Sequence, residues 1–434
     1  MDDGPAGSPR RRRDRVRGLA VDRTPFRVSR DYRRIWWSEL VSQAGTQITV
    51  VAVFFQVYAL TGSAAKVGIV GLVQFCSIVV GTIFGGPMID RLDRRRILLV
   101  TQSGFVLTSS TLLAGALMDR PPLWLIYVAV AVAAGLSGIA TPTRGSIIPN
   151  LIPVELLSSA VALNQVMWNA AMVAGPALGG VIIARAGLEW AYAVDVVTFT
   201  ASIYATVRLP PQIPRADAER TSGRGPAAIR EAFSFVRGRR VLQATFVVDL
   251  VAMIFGMPRA LFPILAVSQF HRGPEMVGAL FSAIAAGALV GASTAGWVGR
   301  IRRQGSAVLI AVALWGGCIA LFGVTGSLPL AIVLLAAAGA ADVISAVFRG
   351  TILQSTVTDA VRGRLSALHI LVVTGGPRLG DLEAGLVASA FSPTFSVVSG
   401  GIACVAGVIA IAALMPEFTR FVAPSGEPAT TPAA

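Results

Sequence analysis

From residue 36 to residue 415 the chain is a succession of apolar runs, each about 20 residues long and set off by short polar breaks. A run of about 18 or more apolar residues can cross the hydrocarbon core of a bilayer as a helix. Lipid offers no partner for backbone N–H and C=O groups, so a spanning segment must be helical or belong to a closed barrel. The runs lack the apolar–polar alternation of barrel strands. Helices are therefore predicted over 36–60, 67–89, 97–118, 122–143, 158–184, 189–208, 241–268, 275–298, 305–326, 328–348, 363–390 and 393–415. Twelve spans with a polar insert at 209–240 divide into an N-terminal six-helix half, 36–208, and a C-terminal one, 241–415. A basic tail at 1–35 and a second tail at 416–434 flank them. The expected class is an all-α membrane protein.

Charge supports this reading. Only 14% of the 434 residues are charged, against roughly 25% in soluble domains, and the mean hydropathy is +0.70. A net charge of +14 raises nucleic acid as a partner, but the basic residues sit in short clusters between apolar spans rather than over a soluble face. Membrane topology accounts for them instead. With the N-terminus inside, 31 of the 37 basic residues fall on the inner side, 4 outside and 2 within spans, so both termini are expected in the cytoplasm. Trp36 and Trp37 behind Arg33 and Arg34 read as an interfacial anchor. Within the insert, 209–225 reads as a flexible strap and 227–240 as an interfacial helix with Ile229, Phe233 and Val236 on one face; a basic linker is the competing reading. The tails 1–30 and 420–434 are expected to lack fixed structure. The three cysteines lie inside spans without CxxC spacing, which argues against a disulfide framework and a metal site. No phosphate-binding loop is present, so ATP is not the expected energy source.

The segment "GGPMIDRLDRRR", 85–96, joins spans two and three. Arginines there hold the loop inside, but Asp90 and Asp93 need another reason, such as pairing with a facing helix. The cluster resembles the G-x-x-x-D-R-x-G-R-R motif of the major facilitator superfamily, here Gly86, Asp90, Arg91, Asp93, Arg94 and Arg95, with Asp93 where many members have glycine. The resemblance implies a conformational latch between two halves that rock around a central cavity; a plain positive-inside loop is the alternative. "GWVGRIRRQG", 296–305, is a weak second copy without an acid. In span five, "NAAMVAGPALGG", 169–180, puts a proline among glycines, which bends a helix and lets a neighbour approach. It resembles the G-x-x-x-G-P-x-x-G-G motif of exporters that work as proton antiporters, with Ala171 for the first glycine and Gly175, Pro176, Gly179 and Gly180 as the hinge.

Residues 342–385 and "SQAGTQITVVAVFFQVYALTGSAAKVG", 42–68, resemble the superfamily branch that includes the enterobactin exporter and multidrug and macrolide effluxers. Arg349, Gln354, Gly363 and Arg364 match that branch's loop between helices ten and eleven. Gly45 and Thr46 stand where many members of the broad branch carry an acid.

Ionisable residues at lipid depth are costly and read as functional. Asp249 lies about 12 Å into span seven and Asp342 about 20 Å into span ten, at about 1.5 Å per residue. They are the candidates for proton coupling, against helix capping or interhelical bonding, since neither has an opposite charge nearby in sequence. Arg378, Asp381 and Glu383 in span eleven are candidates for the substrate cavity or for a structural ion network, Arg378 and Asp381 being spaced to neutralise each other. Asn164, Gln165, Trp168 and Asn169 of span five are further cavity candidates, with packing as the alternative. Asp195 lies in the outer part of span six and Glu39 at the inner mouth of span one. The expected function is export of a small molecule, a siderophore of enterobactin type or an amphipathic drug, by proton antiport across the cytoplasmic membrane. Uptake of a small solute or a non-transporting sensor are alternatives; an enzyme is not expected. The expected partners are the substrate, protons and the bilayer, with no cofactor, metal or nucleic acid and a monomeric state.

Overall fold

A computed structural model describes residues 22–213, 233–356 and 359–422. The start of the basic tail, the strap with the first part of the predicted interfacial helix, and the end of the chain lie outside the described residues. Twelve long helices follow one another: α1 Arg30–Thr61, α2 Ala64–Arg91, α3 Arg94–Ala116, α4 Leu123–Leu151, α5 Leu157–Ala186 and α6 Leu188–Val207. After the insert come α7 in two pieces, Arg240–Phe255 and Phe262–Ser268, then α8 Pro274–Thr294, α9 Gln304–Val324, α10 Leu328–Thr356, α11 Asp359–Ala390 and α12 Pro393–Leu414. Ten are long and apolar enough to cross a membrane. The other two are α6, diluted by Glu189, Asp195 and its hydroxyl side chains, and α11, which carries Arg378, Asp381 and Glu383.

Local sequence sets most of the boundaries. Side chains of Ser29, Ser63, Asp93 and Ser392 each accept a backbone N–H at a helix start, filling one of the donors that a helix start leaves open. Gly62, at φ 58°, ends α1 in the left-handed region. Other boundaries differ from the hydropathy reading. α4 and α10 each run eight residues past their expected ends, to Leu151 and Thr356; polarity alone does not stop a helix, and α4 continues even through Pro142 and Pro149, each of which removes one backbone donor from the ladder. α7 is broken into Arg240–Phe255 and Phe262–Ser268 around the 3₁₀ turn Arg259–Leu261, where Pro258 cannot donate to the preceding turn.

The N-terminal tail is ordered sooner than expected. Thr24–Val28 is helical, and Phe26 stacks on Tyr32 and meets Trp36 edge to face. Trp36 is not an interfacial anchor: it is buried and donates its indole N–H to the Leu163 carbonyl at 3.2 Å, while its neighbour Trp37 stays exposed. In the insert, Val236 packs inward on Leu242, Phe246 and Leu365, and Phe233 is 63% exposed, so the two do not share one membrane-facing side.

The helices pair as two copies of one pattern. In the first half α2 packs on α4, α3 on α4 and α6, and α1 on α5 and α6; in the second, α8 packs on α10, α9 on α10 and α12, and α7 on α11 and α12. Parallel repeats of this kind characterise transporters that rock one half against the other. The halves meet chiefly through two further pairs, α2 with α11 and α5 with α8, with smaller contacts of α1 on α8 and on the far segment of α7 and of α2 on the α7 turn.

Both seams are backbone contacts. A Cβ on Gly68 of α2 would stand 2.7 Å from the Asp381 carbonyl oxygen, and one on Gly180 of α5 would stand 2.7 Å from the Pro274 carbonyl oxygen. Hydrogen bonds join the halves from Ala65 N–H to Ser389 Oγ, 2.8 Å, and from Ser282 Oγ–H to the Val173 carbonyl, 2.8 Å. All of these contacts gather toward the end of the bundle that carries Lys66 and Ser389. Toward the opposite end, which carries the arginine clusters, the pairs separate past Phe75 and Gly375 of α2 and α11 and past Val173 and Ser282 of α5 and α8. Among the described residues no glycine of one half touches the other half toward that opposite end, so the close packing between the halves lies at one end.

In a cysteine-less background, Ala65→Cys with Ser389→Cys is expected to form a disulfide in most molecules of the substrate-free protein. Adding Gly68→Leu should lower the yield severalfold, because the new side chain meets the α11 backbone; gel mobility after oxidation measures both.

Candidate functional site

The deepest charges of the C-terminal half form one cluster. Arg349, on α10, is 2% exposed; its Nη1 lies 2.7 Å from Asp249 Oδ1 of α7, and its Nη2 lies 3.8 Å from Asp342 Oδ1, two turns earlier on the same helix. The Asp249 contact is a charge pair without the angle of a hydrogen bond, and Arg349 Nε, Asp342 Oδ1, Ser345 Oγ and His369 Nδ1 are also buried without hydrogen-bond partners. His369 of α11 faces the same pair. Buried polar atoms are normally satisfied, and these five residues gather open ones from α7, α10 and α11 in one place. Asp249 and Asp342 therefore do have an opposite charge, which sequence proximity did not reveal. Arg349 is also no loop residue, as the branch pattern had suggested: the overrun of α10 carries it into the span.

One guanidinium serves two carboxylates here. Asp249 holds it at short range with its side chain 2% exposed, whereas Asp342 stands farther off and is 22% exposed. Asp342 also borders a small cavity at the α7 break, with Gly256, Met257, Trp315 and Gly339 around it. Trp315 donates its indole N–H to the Gly256 carbonyl at 2.9 Å, filling an acceptor that the break opens.

The second cluster lies at the closed end. Asp381 of α11 is fully buried; it accepts from Arg259 Nη2 at 2.9 Å and from the Ala260 backbone N–H at 3.2 Å. The neutralising partner is thus Arg259 of the α7 turn rather than Arg378, whose guanidinium donates to the Thr374 carbonyl. Asp381 does not line the cavity: it ties the far segment of α7 to α11, directly behind the seam where α11 meets Gly68 and Gly71. Arg378 and Glu383 are half-buried nearby.

On α5 the four cavity candidates divide by helical face. Val173, Pro176 and Gly180 contact α8, and the same face continues through Asn169 and Gln165 into the space where the halves part. These two side chains bond each other at 3.3 Å. Trp168, 44% exposed, stands beside them. Asn164 is turned away and accepts from the Tyr32 hydroxyl at 3.3 Å, so it fixes α5 to the start of α1. The hinge residues serve two neighbours: Gly175 and Gly179 press on Gln47 and Ile48 of α1, and Gly180, with Pro176 one turn before it, meets Gly278 of α8.

The segment after α2 makes contacts within its own half. Asp93 caps α3 through Arg95 N–H at 3.0 Å and accepts from Gln212 N–H at 2.8 Å. Arg94 donates to the Ser146 carbonyl at 2.9 Å, and Arg95 to the Val207 carbonyl at 2.5 Å. Asp93 in place of glycine thus has a local task as a helix cap. Gly86 has open space around it, with Asp90 and Arg91 at the end of α2.

Removing one partner of a buried pair leaves an uncompensated charge and costs about 3–5 kcal/mol. Arg349→Met is expected to destabilise by that amount in thermal melts in detergent, with the loss smaller at low pH, where the orphaned carboxylates take up protons. Adding Asp249→Asn should recover part of it.

Comparison with known proteins agrees with this architecture. Residues 22–428 match the family model MFS_3, described as transmembrane secretion effector. The chain is 25% identical over 408 residues to the enterobactin exporter of Citrobacter koseri, covering 92% of this chain and 95% of that protein. It is also 25% identical over 399 residues to the enterobactin exporter of Escherichia coli O139:H28, covering 90% and 93%. Among solved structures, a POT family transporter in complex with 5-aminolevulinic acid superposes with a TM-score of 0.73 at 11% identity, over 90% of this chain and 97% of that one. A bacterial homologue of the human lysosomal transporter Spinster, inward-facing and unoccupied, gives 0.67 at 16% identity over 90% and 95%. The family and these relatives are transporters, not enzymes. With nearly its whole length matched, the chain belongs to the transmembrane secretion effector family of the major facilitator superfamily.

Proposed function

We propose that the protein exports a small amphipathic molecule from the cytoplasm by proton antiport, with Asp342 as the coupling carboxylate. The observation that carries this is the two-to-one balance of Asp249, Asp342 and Arg349: a single cation leaves one deep carboxylate in excess, and Asp342 is the one held at longer range beside a cavity. A proton taken from outside neutralises it; released inside, it leaves the charge to be shared across α7 and α10. The arginine bias puts the parted end at the cytoplasm, so this conformation faces inward with the outer end shut. Substrate would enter between the halves and meet Gln165, Trp168 and Asn169. Asp90, Arg91, Asp93, Arg94 and Arg95 would latch the inner end once it closes.

Export rather than uptake is supported by the Gly-Pro hinge of α5, which lies on the seam that has to open, and by relatives that are named exporters. Those names make a catecholate siderophore the first substrate class to test and a lipophilic cation the second. The protein acts as a monomer, since one chain contains both repeats and the cavity between them.

Inside-out vesicles report the direction and the coupling. With an imposed pH gradient, acid inside, wild type is expected to accumulate one of the two ligands, and Asp342→Asn to fall to the level of empty vesicles while binding the ligand in detergent. Undiminished accumulation in Asp342→Asn would remove Asp342 from the proton path. Absence of any gradient-driven accumulation by wild type would sink export of these classes.

A further inference from the structure

In the C-terminal half the deep aspartates Asp249, Asp342 and Asp381 each lie within 4 Å of an arginine; the N-terminal half contains a buried aspartate that does not. Asp195, on α6, is 2% exposed and forms no ion pair among the described residues. Its Oδ2 accepts from Ser109 Oγ of α3 at 2.7 Å, while Oδ1 is buried without a hydrogen-bond partner. The Thr49 hydroxyl of α1 stands against the same carboxyl group, itself without a partner of normal geometry.

The groups that face Asp195 are known from every helix packed on it. α1 presents Gly45 and Thr49, α3 presents Ser109, and α6 itself presents Thr198 and, one turn away, the Tyr192 phenol, which donates to Gln56 at 2.6 Å. On α1, Glu39 lies nearer the inner end and is paired with Arg144 at 2.7 Å. The nearest charges in sequence, Glu189 of α6 and Arg185 of α5, stand at the helix ends. Hydroxyl groups surround the carboxyl group, and among the described residues no cation pairs with it. An ionised carboxylate buried in this way is strongly disfavoured. A neutral one is satisfied, since its O–H can donate to Thr49.

We infer that Asp195 binds a proton in this conformation and is a second proton site of the transporter, in the half that lacks the arginine-centred cluster. What makes it more than a buried acid is Gly45. A Cβ there would stand 2.7 Å from Asp195 Oδ1 and closer still to Thr198 Oγ1. The α1 backbone lies directly on the carboxyl group, with no room for the water that an ionised form needs. Losing the proton therefore requires α1 to move away from α6. On its other side α1 carries Gly175 and Gly179 of the α5 hinge, so the displacement reaches the seam with α8. Proton binding at Asp195 stands on its own geometry; its part in the transport cycle rests on the antiport reading.

Infrared difference spectra of the full-length protein in liposomes, taken at neutral pH in H2O and D2O, test the inference. The expected result is a deuteration-sensitive carboxylic-acid C=O band that disappears in Asp195→Asn and shifts in Ser109→Ala, which keeps the carboxyl group but removes its donor. A band unchanged in both variants overturns the proposal. Should Asp195→Asn fail to fold, an unshifted band in Ser109→Ala does so alone. If the band appears only when Na+ is replaced by choline, the site holds a metal cation in place of the proton, which also overturns it. The band should persist in Asp342→Asn. Failure of the antiport reading would show separately, as wild-type vesicles that move no ligand while the Asp195 band remains.

Discussion

Charge at lipid depth must be balanced inside the bundle, and that requirement decides which helices of this protein are neighbours. The hydrocarbon core solvates neither an arginine nor a carboxylate, so each deep charge recruits a partner from another helix or gives up its charge. Arg349 joins α10 to α7 through Asp249, and Asp381 joins α11 to the turn of α7 through Arg259. Both ties hold α7, on either side of its break. The break itself is stable only because its exposed backbone is used: Trp315 caps the Gly256 carbonyl and Asp381 accepts the Ala260 N–H. α7 is therefore two rigid pieces, each locked by an ion pair.

Contact between the halves depends on a different force. Apolar side chains gain little by leaving lipid for one another, so helices associate where small residues let backbones approach. The α2–α11 and α5–α8 seams have that character, with glycine at the closest points and a hydrogen bond across each. A seam held largely by close backbone packing can part at small polar cost. Within each half, by contrast, buried polar bonds resist separation, Gln102 to Ser202 and Tyr192 to Gln56 in the first and Trp315 to Gly256 in the second. The molecule is divided into two firm bodies with a soft joint, which is what rigid-body rocking requires.

Much of this was legible in the sequence. Twelve helices, their division into six and six, and the family follow from apolar length, the placement of arginine and two motifs. Helix ends were less legible, because hydropathy measures depth in lipid while a helix continues until something stops it; α4 and α10 show the difference. That overrun also hid Arg349, although its spacing of seven residues from Asp342, two turns on one face, was a usable signal. Arg259 was visible as a basic residue within a span, but its pairing with Asp381 joins positions 122 residues apart, and nothing local announces it. Gly45 shows the same limit: sequence registers the absence of an acid on α1, whereas the fold brings the carboxyl group of Asp195 to that place from α6.

In the proposed antiport cycle, the two proton sites would act on different parts of the same machine. Asp342 and Asp249 compete for Arg349, so a proton on Asp342 strengthens the hold of Asp249 and fixes α7 against α10. Asp249 lies seven residues before Gly256, about 10 Å along the helix, and past that break Arg259 is held by Asp381 behind the outer seam. Neutralising Asp342 thus firms one end of a strut whose other end supports the outer closure. Asp195 works through α1 and reaches the α5–α8 seam instead. Each seam then has its own carboxylate, and a proton at only one site leaves the other free to favour opening. Coupling is tightest when both must be neutral before the outer end can stay shut, because a leak of either proton alone then fails to complete the cycle.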